Sequence, residues 1–221
     1  MALFQSVCFD HLHQKLGGVV CYERCGKQVM RSCPEKIRNP RSKVQQDNRR
    51  IFGACNQLAA RFQSGLQLGF PSAGRPQSRN AFVSANCEIF TVGEDLEVKA
   101  DYSRLHCSSG RQEKPEVRVE TDDAGLTIRK FPQRISAYCS RQDRVYLWLW
   151  LPAMGDIIRV DLGIRGHVPE VQHIAFPDSW KGAEIYGYAF AVSANGHRAS
   201  ETLNVLAENK MNPKEEENLG K

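Results

Sequence analysis

Residues 17–52 read GGVVCYERCGKQVMRSCPEKIRNPRSKVQQDNRRIF, three local signals in close succession. Gly18–Arg24 and Lys27–Ser32 are short runs rich in Val, Tyr and Met, with Cys25-Gly26 between them. A glycine in such a connection supplies the positive φ that a tight hairpin needs, so the spacing predicts a β-hairpin over residues 18–32. Cys33-Pro34 and Asn39-Pro40 then predict a loop, because each residue before proline is pushed out of helical geometry. Ser42 reads as an N-cap and Gln45, three places on, completes a capping box. From there Ile51, Cys55, Leu58, Phe62 and Leu66 recur at steps of 4, 3, 4 and 4, the apolar stripe of a helix expected over 43–67.

That helix carries a second stripe. At about 100° per residue, Lys43, Arg50, Gln57 and Arg61 fall together beside the apolar seam. Arg31, Lys36, Arg38, Arg41 and Arg49 thicken the same positive field. Residues 1–80 hold 13 Lys and Arg against 4 Asp and Glu, a balance of +9, whereas residues 81–221 hold 17 against 21, a balance of −4. Such asymmetry points to an acidic partner or a polyanion for the front of the chain. Arg31, Lys36, Arg38, Arg41, Lys43, Arg49, Arg50 and Arg61 are the candidate contact residues. A solvated helix face is the plainer reading of the same charges.

Working outward, residues 78–90 predict a second, shorter helix with Ala81, Phe82, Ala85 and Ile89 inward, and residues 95–103 alternate as a strand. The polar segment Ser108–Lys114, SSGRQEK, is the expected domain boundary, giving an N-terminal α+β domain over 1–112. Beyond it, Glu116–Thr121, Leu126–Lys130, Arg144–Leu151, Asp156–Leu162, Val171–Phe176, Ile185–Ala194 and Arg198–Leu206 read as strands. Seven short strands with turn signals between them predict an immunoglobulin or fibronectin type III-like β-sandwich over 113–207. In the third, Val145, Leu147, Leu149 and Leu151 point one way, and Tyr146, Trp148 and Trp150 the other. The tryptophan face suits either sheet packing or a binding platform. Asn195-Gly196 predicts a type I′ turn, and one of Tyr186 and Tyr188 fits a corner-tyrosine role. Residues 208–221, ENKMNPKEEENLGK, have almost nothing to bury and read as a disordered tail.

The string Gly18-Val19-Val20, Tyr22, Gly26, Met30-Arg31-Ser32, Pro34, Asn39-Pro40-Arg41-Ser42, Gln46, Arg50 and Phe52 resembles the N-terminal signature of a bacterial family known as domain of unknown function 6266. The likeness continues through Asp101-Tyr102-Ser103, the Gly110 turn and Trp180-Lys181-Gly182. It implies a two-part architecture and no established activity, so it carries no catalytic residue onto this chain. A similar hairpin and Asn-Pro turn occurs in phage-like and mobile-element proteins. The cysteine-rich front, Cys8, Cys21, Cys25 and Cys33, departs from the family pattern.

The chemistry is sparse. Cys8, His11, His13, Cys21, Cys25 and Cys33 offer soft ligands, but only Cys21 and Cys25 have the usual paired spacing of a zinc site, so no metal is expected. The eight cysteines are expected as reduced thiols. His106 and Cys107 are adjacent, hence on opposite faces of an extended chain and poorly placed as base and nucleophile. No G-x-S-x-G or phosphate-loop pattern is present, and no cofactor is implied. Residues 1–16 lack a signal-peptide core, and Val145–Met154 is far short of the roughly 20 apolar residues that span a bilayer. The expectation is therefore a cytoplasmic, non-enzymatic interaction or structural protein that binds a protein partner or itself. Nucleic acid is the alternative, and a membrane or a small-molecule substrate is not expected.

Overall fold

The computed structural model describes residues 2–3, 14–24, 26–33, 39, 41–73, 77–122, 125–175, 180 and 183–206. The expected tail over 208–221 lies outside the described residues. The chain forms two compact units, Met1–Gln45 and Gln46–Lys221.

In the first unit, β1 (Ala2–Leu3), β2 (Gln14–Leu16), β3 (Val19–Arg24) and β4 (Lys27–Ser32) form an antiparallel sheet in the order β1-β4-β3-β2. The predicted hairpin is β3–β4, with Cys21 opposite Met30 and Tyr22 opposite Val29. Gly26 has φ +73°, the left-handed value the turn demands. The expected capping box is present in shifted form. Gln45 N–H donates to Ser42 Oγ at 3.4 Å, but the Gln45 side chain accepts from Arg41 N–H rather than from the cap residue itself.

α1 (Lys43–Phe62) is shorter than the helix expected to residue 67. It stops before Gly65, where an added β-carbon would lie 2.4 Å from the Trp148 ring. A glycine turn brings the backbone against that indole, and α2 (Leu66–Gly69) resumes beyond it. α3 (Ser78–Asn86) is likewise shorter than expected. A single 3₁₀ turn, Cys87–Ile89, leads from it into β5 (Phe90–Val92), which pairs with β6 (Val98–Ala100) as a small hairpin.

The strands after residue 113 form two antiparallel sheets. β7 (Val117–Asp122), β8 (Gly125–Lys130) and β11 (Glu170–Ala175) run in the order β11-β8-β7. β9 (Arg144–Leu151), β10 (Asp156–Ile164), β12 (Tyr186–Val192) and β13 (Leu203–Asn204) run in the order β10-β9-β12-β13. An α+β class with antiparallel sheets therefore holds. The last strand expected over 198–206 shrinks to two residues plus a bridge from Val192 to Ala199.

The central strand β9 is buried on both faces. Val145, Leu147, Leu149 and Leu151 share an aliphatic core with Val117, Val119, Leu126 and Ile128 of the three-stranded sheet. Trp148 and Trp150 share the second core with Cys55, Leu58 and Phe62 of α1 and with Phe82 of α3. Three layers result: helices, four-stranded sheet, three-stranded sheet. This places the break between units at residue 45, not at the boundary expected after 112. The helices bury their apolar stripe on the tryptophan face, so residues 46–112 are compact with the sandwich. Tyr188 likewise spends its hydroxyl on the Tyr102 carbonyl at 2.7 Å, 86 residues upstream, rather than on a nearby corner.

Candidate functional site: a groove along the first helix

The second half of α1 and the β5–β6 hairpin stand apart above the sheet and leave a groove of about 440 Å³. Ala54, Leu58 and Ala60 form one apolar wall, and Phe90, Val98 and Ala100 the other. Tyr102 and Trp150 line the groove between them, with ring centroids 5.9 Å apart at 65°, an edge-to-face arrangement. Tyr102 is held by a 3₁₀ turn whose cap is Asp101, which accepts from Ser103 N–H at 3.1 Å.

Burial pushes the Tyr102 hydroxyl pKa up, and the neighbouring Trp150 indole N–H offsets this in part. That indole N–H is buried beside the Tyr102 hydroxyl and makes no other hydrogen bond among the described residues. Tyr186, whose ring lies 5.5 Å from that of Tyr102, is pushed up to about 12 by burial and then by Glu184.

The predicted basic stripe borders this groove. Gln57 and Arg61 line it, and Arg61 makes no ion pair among the described residues. Arg50 lies on the same helix face and reaches the hairpin turn, donating to the Leu96 carbonyl at 3.4 Å. Eleven residues of helix separate the two guanidinium-bearing positions by about 16 Å. Arg49 is exposed on the helix, Lys43 is exposed in its first turn, and Arg31 is exposed on β4. Arg41 is exposed with φ +48° just before the helix. Lys36 and Arg38 lie outside the described residues. The stripe was readable from spacing, but the facing wall was not. β5 lay hidden at the end of an expected helix, and Trp150 comes from about 90 residues downstream.

Other chemically suggestive groups are occupied structurally. Cys107 is fully buried and burial drives its thiol pKa well up, the opposite of an activated nucleophile, while His106 is exposed. Thr127 Oγ1 and His173 Nδ1 lie 3.0 Å apart as a cross-strand pair of β8 and β11, and among the described residues the imidazole has no further hydrogen-bond partner. Asp143 and Arg165 form a buried pair at 3.5 Å. Among the described residues no three His, Cys, Asp or Glu side chains gather as a metal site. Cys8, His11, His13 and Cys25 lie outside that set. The described cysteines are free thiols, and no described helix is long and apolar enough to cross a membrane. Compared with family models, with curated proteins and with solved structures, the chain matches none.

Proposed function

We propose that this chain is a non-enzymatic binding protein whose groove along α1 docks an acidic, partly apolar segment of a protein partner. The observation that carries the reading is the groove itself: an apolar and aromatic lining of about 440 Å³ with Arg61 on its wall, in no ion pair among the described residues. A leucine or aromatic side chain of the partner fills the lining, and a flanking carboxylate meets Arg61. The layers beneath serve as a rigid support.

The same proposal takes the sandwich as fibronectin type III-like. The three-plus-four division of its strands supports this, with the fourth strand paired to the third and not to the fifth. The motif between Gly18 and Phe52 supports kinship with domain family 6266, and with it a structural or assembly role of the phage or mobile-element kind in the bacterial cytoplasm.

Affinity capture from the native host tests the reading. Wild-type protein is expected to retain a partner that Arg61→Glu and Leu58→Asp variants lose. Retention of the same partner by an Arg61→Glu protein that is well folded would count decisively against the groove. A second reading, nucleic-acid binding, draws on the separation of Arg50 and Arg61 along one helix face and on the basic front of the chain. It requires a mobility shift at low salt that fades as salt rises, because phosphate contacts release counterions. Absence of any shift removes it.

A further inference from the structure

A second cleft, of about 430 Å³, opens on the same unit where four loops meet. They are the 3₁₀ turn after α2, the link at 109–111, the turn at 136–139 and the β12 hairpin turn ending at Arg198. Main-chain bonds brace these walls. Ser109 N–H donates to Gly69 O at 3.0 Å, Gln112 N–H to Ala199 O at 3.1 Å and Glu113 N–H to Tyr138 O at 3.0 Å. At Gly110 an added β-carbon would lie 2.1 Å from the Ala199 carbonyl oxygen, so only glycine lets the two backbones close here. The cleft is therefore built before any ligand arrives.

Its polar lining is one-sided. Arg111, His197 and Arg198 line it with the hydroxyl residues Ser72 and Ser109, and among the described residues no carboxylate does. Neither arginine side chain makes an ion pair or hydrogen bond among the described residues. The nearest acids along the chain are engaged elsewhere. Glu113 accepts from Ser136 Oγ at 2.5 Å, and Glu201 pairs with Lys114 at 3.3 Å. Unpaired cations in a concave site focus a positive field on whatever enters. Two guanidinium groups and two hydroxyls are the donor set for a phosphate monoester. Tyr138, 46% exposed, adds an aromatic wall on which a flat ring can stack.

We propose that this cleft binds a free nucleoside monophosphate, with Arg111 and Arg198 clamping the phosphate, Ser72 and Ser109 donating to its oxygens and Tyr138 stacking on the base. The volume suits a ligand of that size. The site shares no residue with the groove along α1, so its failure leaves the groove reading untouched.

Calorimetric titration with AMP, adenosine and inorganic phosphate tests it on the full chain. AMP is expected to bind one to one with a Kd below about 1 mM, inorganic phosphate about tenfold more weakly and adenosine not measurably. Arg111→Ser and Arg198→Ser each weaken AMP about tenfold or more. Tyr138→Leu weakens AMP but leaves phosphate unchanged. The three side chains are exposed, so the variants fold, which near-ultraviolet circular dichroism verifies. Amide shifts on AMP addition should centre on Ser109–Arg111 and Gly196–Arg198. No saturation by about 5 mM AMP, or undiminished affinity in the double arginine variant, overturns the proposal. A 5′-phosphorylated dinucleotide binding about tenfold tighter than AMP also overturns it, in favour of a nucleic-acid end.

Discussion

The two faces of β9 solve the same problem with different materials. Toward the helices the strand presents Tyr146, Trp148 and Trp150, and the core there is aromatic. Phe62 stacks on Phe82 at 5.4 Å and tilts against Trp148 and Trp150 at 5.8 and 5.6 Å, while Phe190 meets Trp148 edge-on at 4.9 Å. Toward the other sheet it presents Val145, Leu147, Leu149 and Leu151, and that core is aliphatic apart from Trp180. The polar closures differ too. On the aromatic side they are neutral. Asn86 donates to the Phe82 and His106 carbonyls at 2.9 and 2.8 Å, and Thr202 Oγ1 accepts from Cys107 and Ser108 N–H at 2.8 and 2.9 Å. On the sandwich side they are charged: Lys130 and the Asp143–Arg165 pair are buried.

The difference follows from what each edge must seal. On the helical side the open groups are main-chain carbonyls and amides, and one side-chain amide or hydroxyl satisfies two of them at once. The sandwich rim has a strand that leaves its ladder. β10 shifts register between Asp161 and Ile164, with Gly163 at φ +74° and its N–H bonded to Asp161 Oδ1 at 2.9 Å. The bulge turns two carbonyls inward, and Lys130 Nζ, reaching across from β8, donates to Leu162 O at 2.6 Å and to Ile164 O. Its charge is balanced by Glu170 at 2.9 Å.

The strongest way to break the comparison is to hollow out each face in turn. Trp148→Ala and Leu149→Ala are expected to cost about 3–5 and about 2–4 kcal/mol, respectively, as large-to-small changes at fully buried sites. If the layers are one cooperative unit, tryptophan fluorescence and far-ultraviolet circular dichroism report a single shared urea transition in both variants. Helices that melt first in Trp148→Ala, with the sandwich intact, would reinstate a division near residue 112.

Next in size is the charged closure. Asp143→Ala strands Arg165, whose guanidinium otherwise donates to Gln133 Oε1 and Glu113 O beside the carboxylate. An uncompensated buried charge costs about 3 kcal/mol. Replacing both partners, Asp143→Leu with Arg165→Met, should recover much of that loss, and a double-mutant cycle in urea measures it. Lys130→Met is smaller, about 2 kcal/mol, because the two inward carbonyls lose a donor while Glu170 is half-exposed and returns to water. A loss equal to that of Asp143→Ala would mean that the neighbouring groups do not relax at all.

These closures also mark what was legible from the amino acids. The alternation of β9 and β12 was clear because a strand's period of two survives burial on both sides: one face reads aliphatic, the other aromatic. The stripe from Ile51 to Phe62 was clear for the same reason at helical period. The boundary after residue 112 was not, since SSGRQEK looks like a linker. Yet Ser108 is buried by Thr202, 94 residues away, and no local pattern announces such a bond. The groove was half legible. Arg50, Gln57 and Arg61 shared a face by spacing, while Tyr102 and Trp150 joined them only through the packing of distant segments. Arg111 and Arg198, 87 positions apart, gave no signal at all.

The smallest expected effect is a slope, and it tests whether the aromatic face is as dry as its geometry implies. Cys55 and Cys107 belong to that core and are fully buried. Burial, aided for Cys55 by the Cys87 thiol beside it, pushes Cys55 up from 9.0 to about 12 and Cys107 well above 9.0. Both groups are neutral when protonated, so the sign follows directly. Above pH about 9 the unfolded thiols ionise while the folded ones keep their protons. The unfolded state then binds fewer protons, and stability, complete below pH about 9, falls as pH rises toward 12, by on the order of 1 kcal/mol per unit for each group. Urea midpoints at pH about 8, 9 and 10 measure the slope. Cys55→Ala should make it shallower, while Cys139, whose thiol burial pushes up beside the charged closure of the sandwich, keeps its share of the slope. An unchanged slope in Cys55→Ala would mean that this thiol ionises in the fold as readily as outside it. Water would then reach the seam between α1 and α3, and the helical layer would be a looser covering than the sheet it protects.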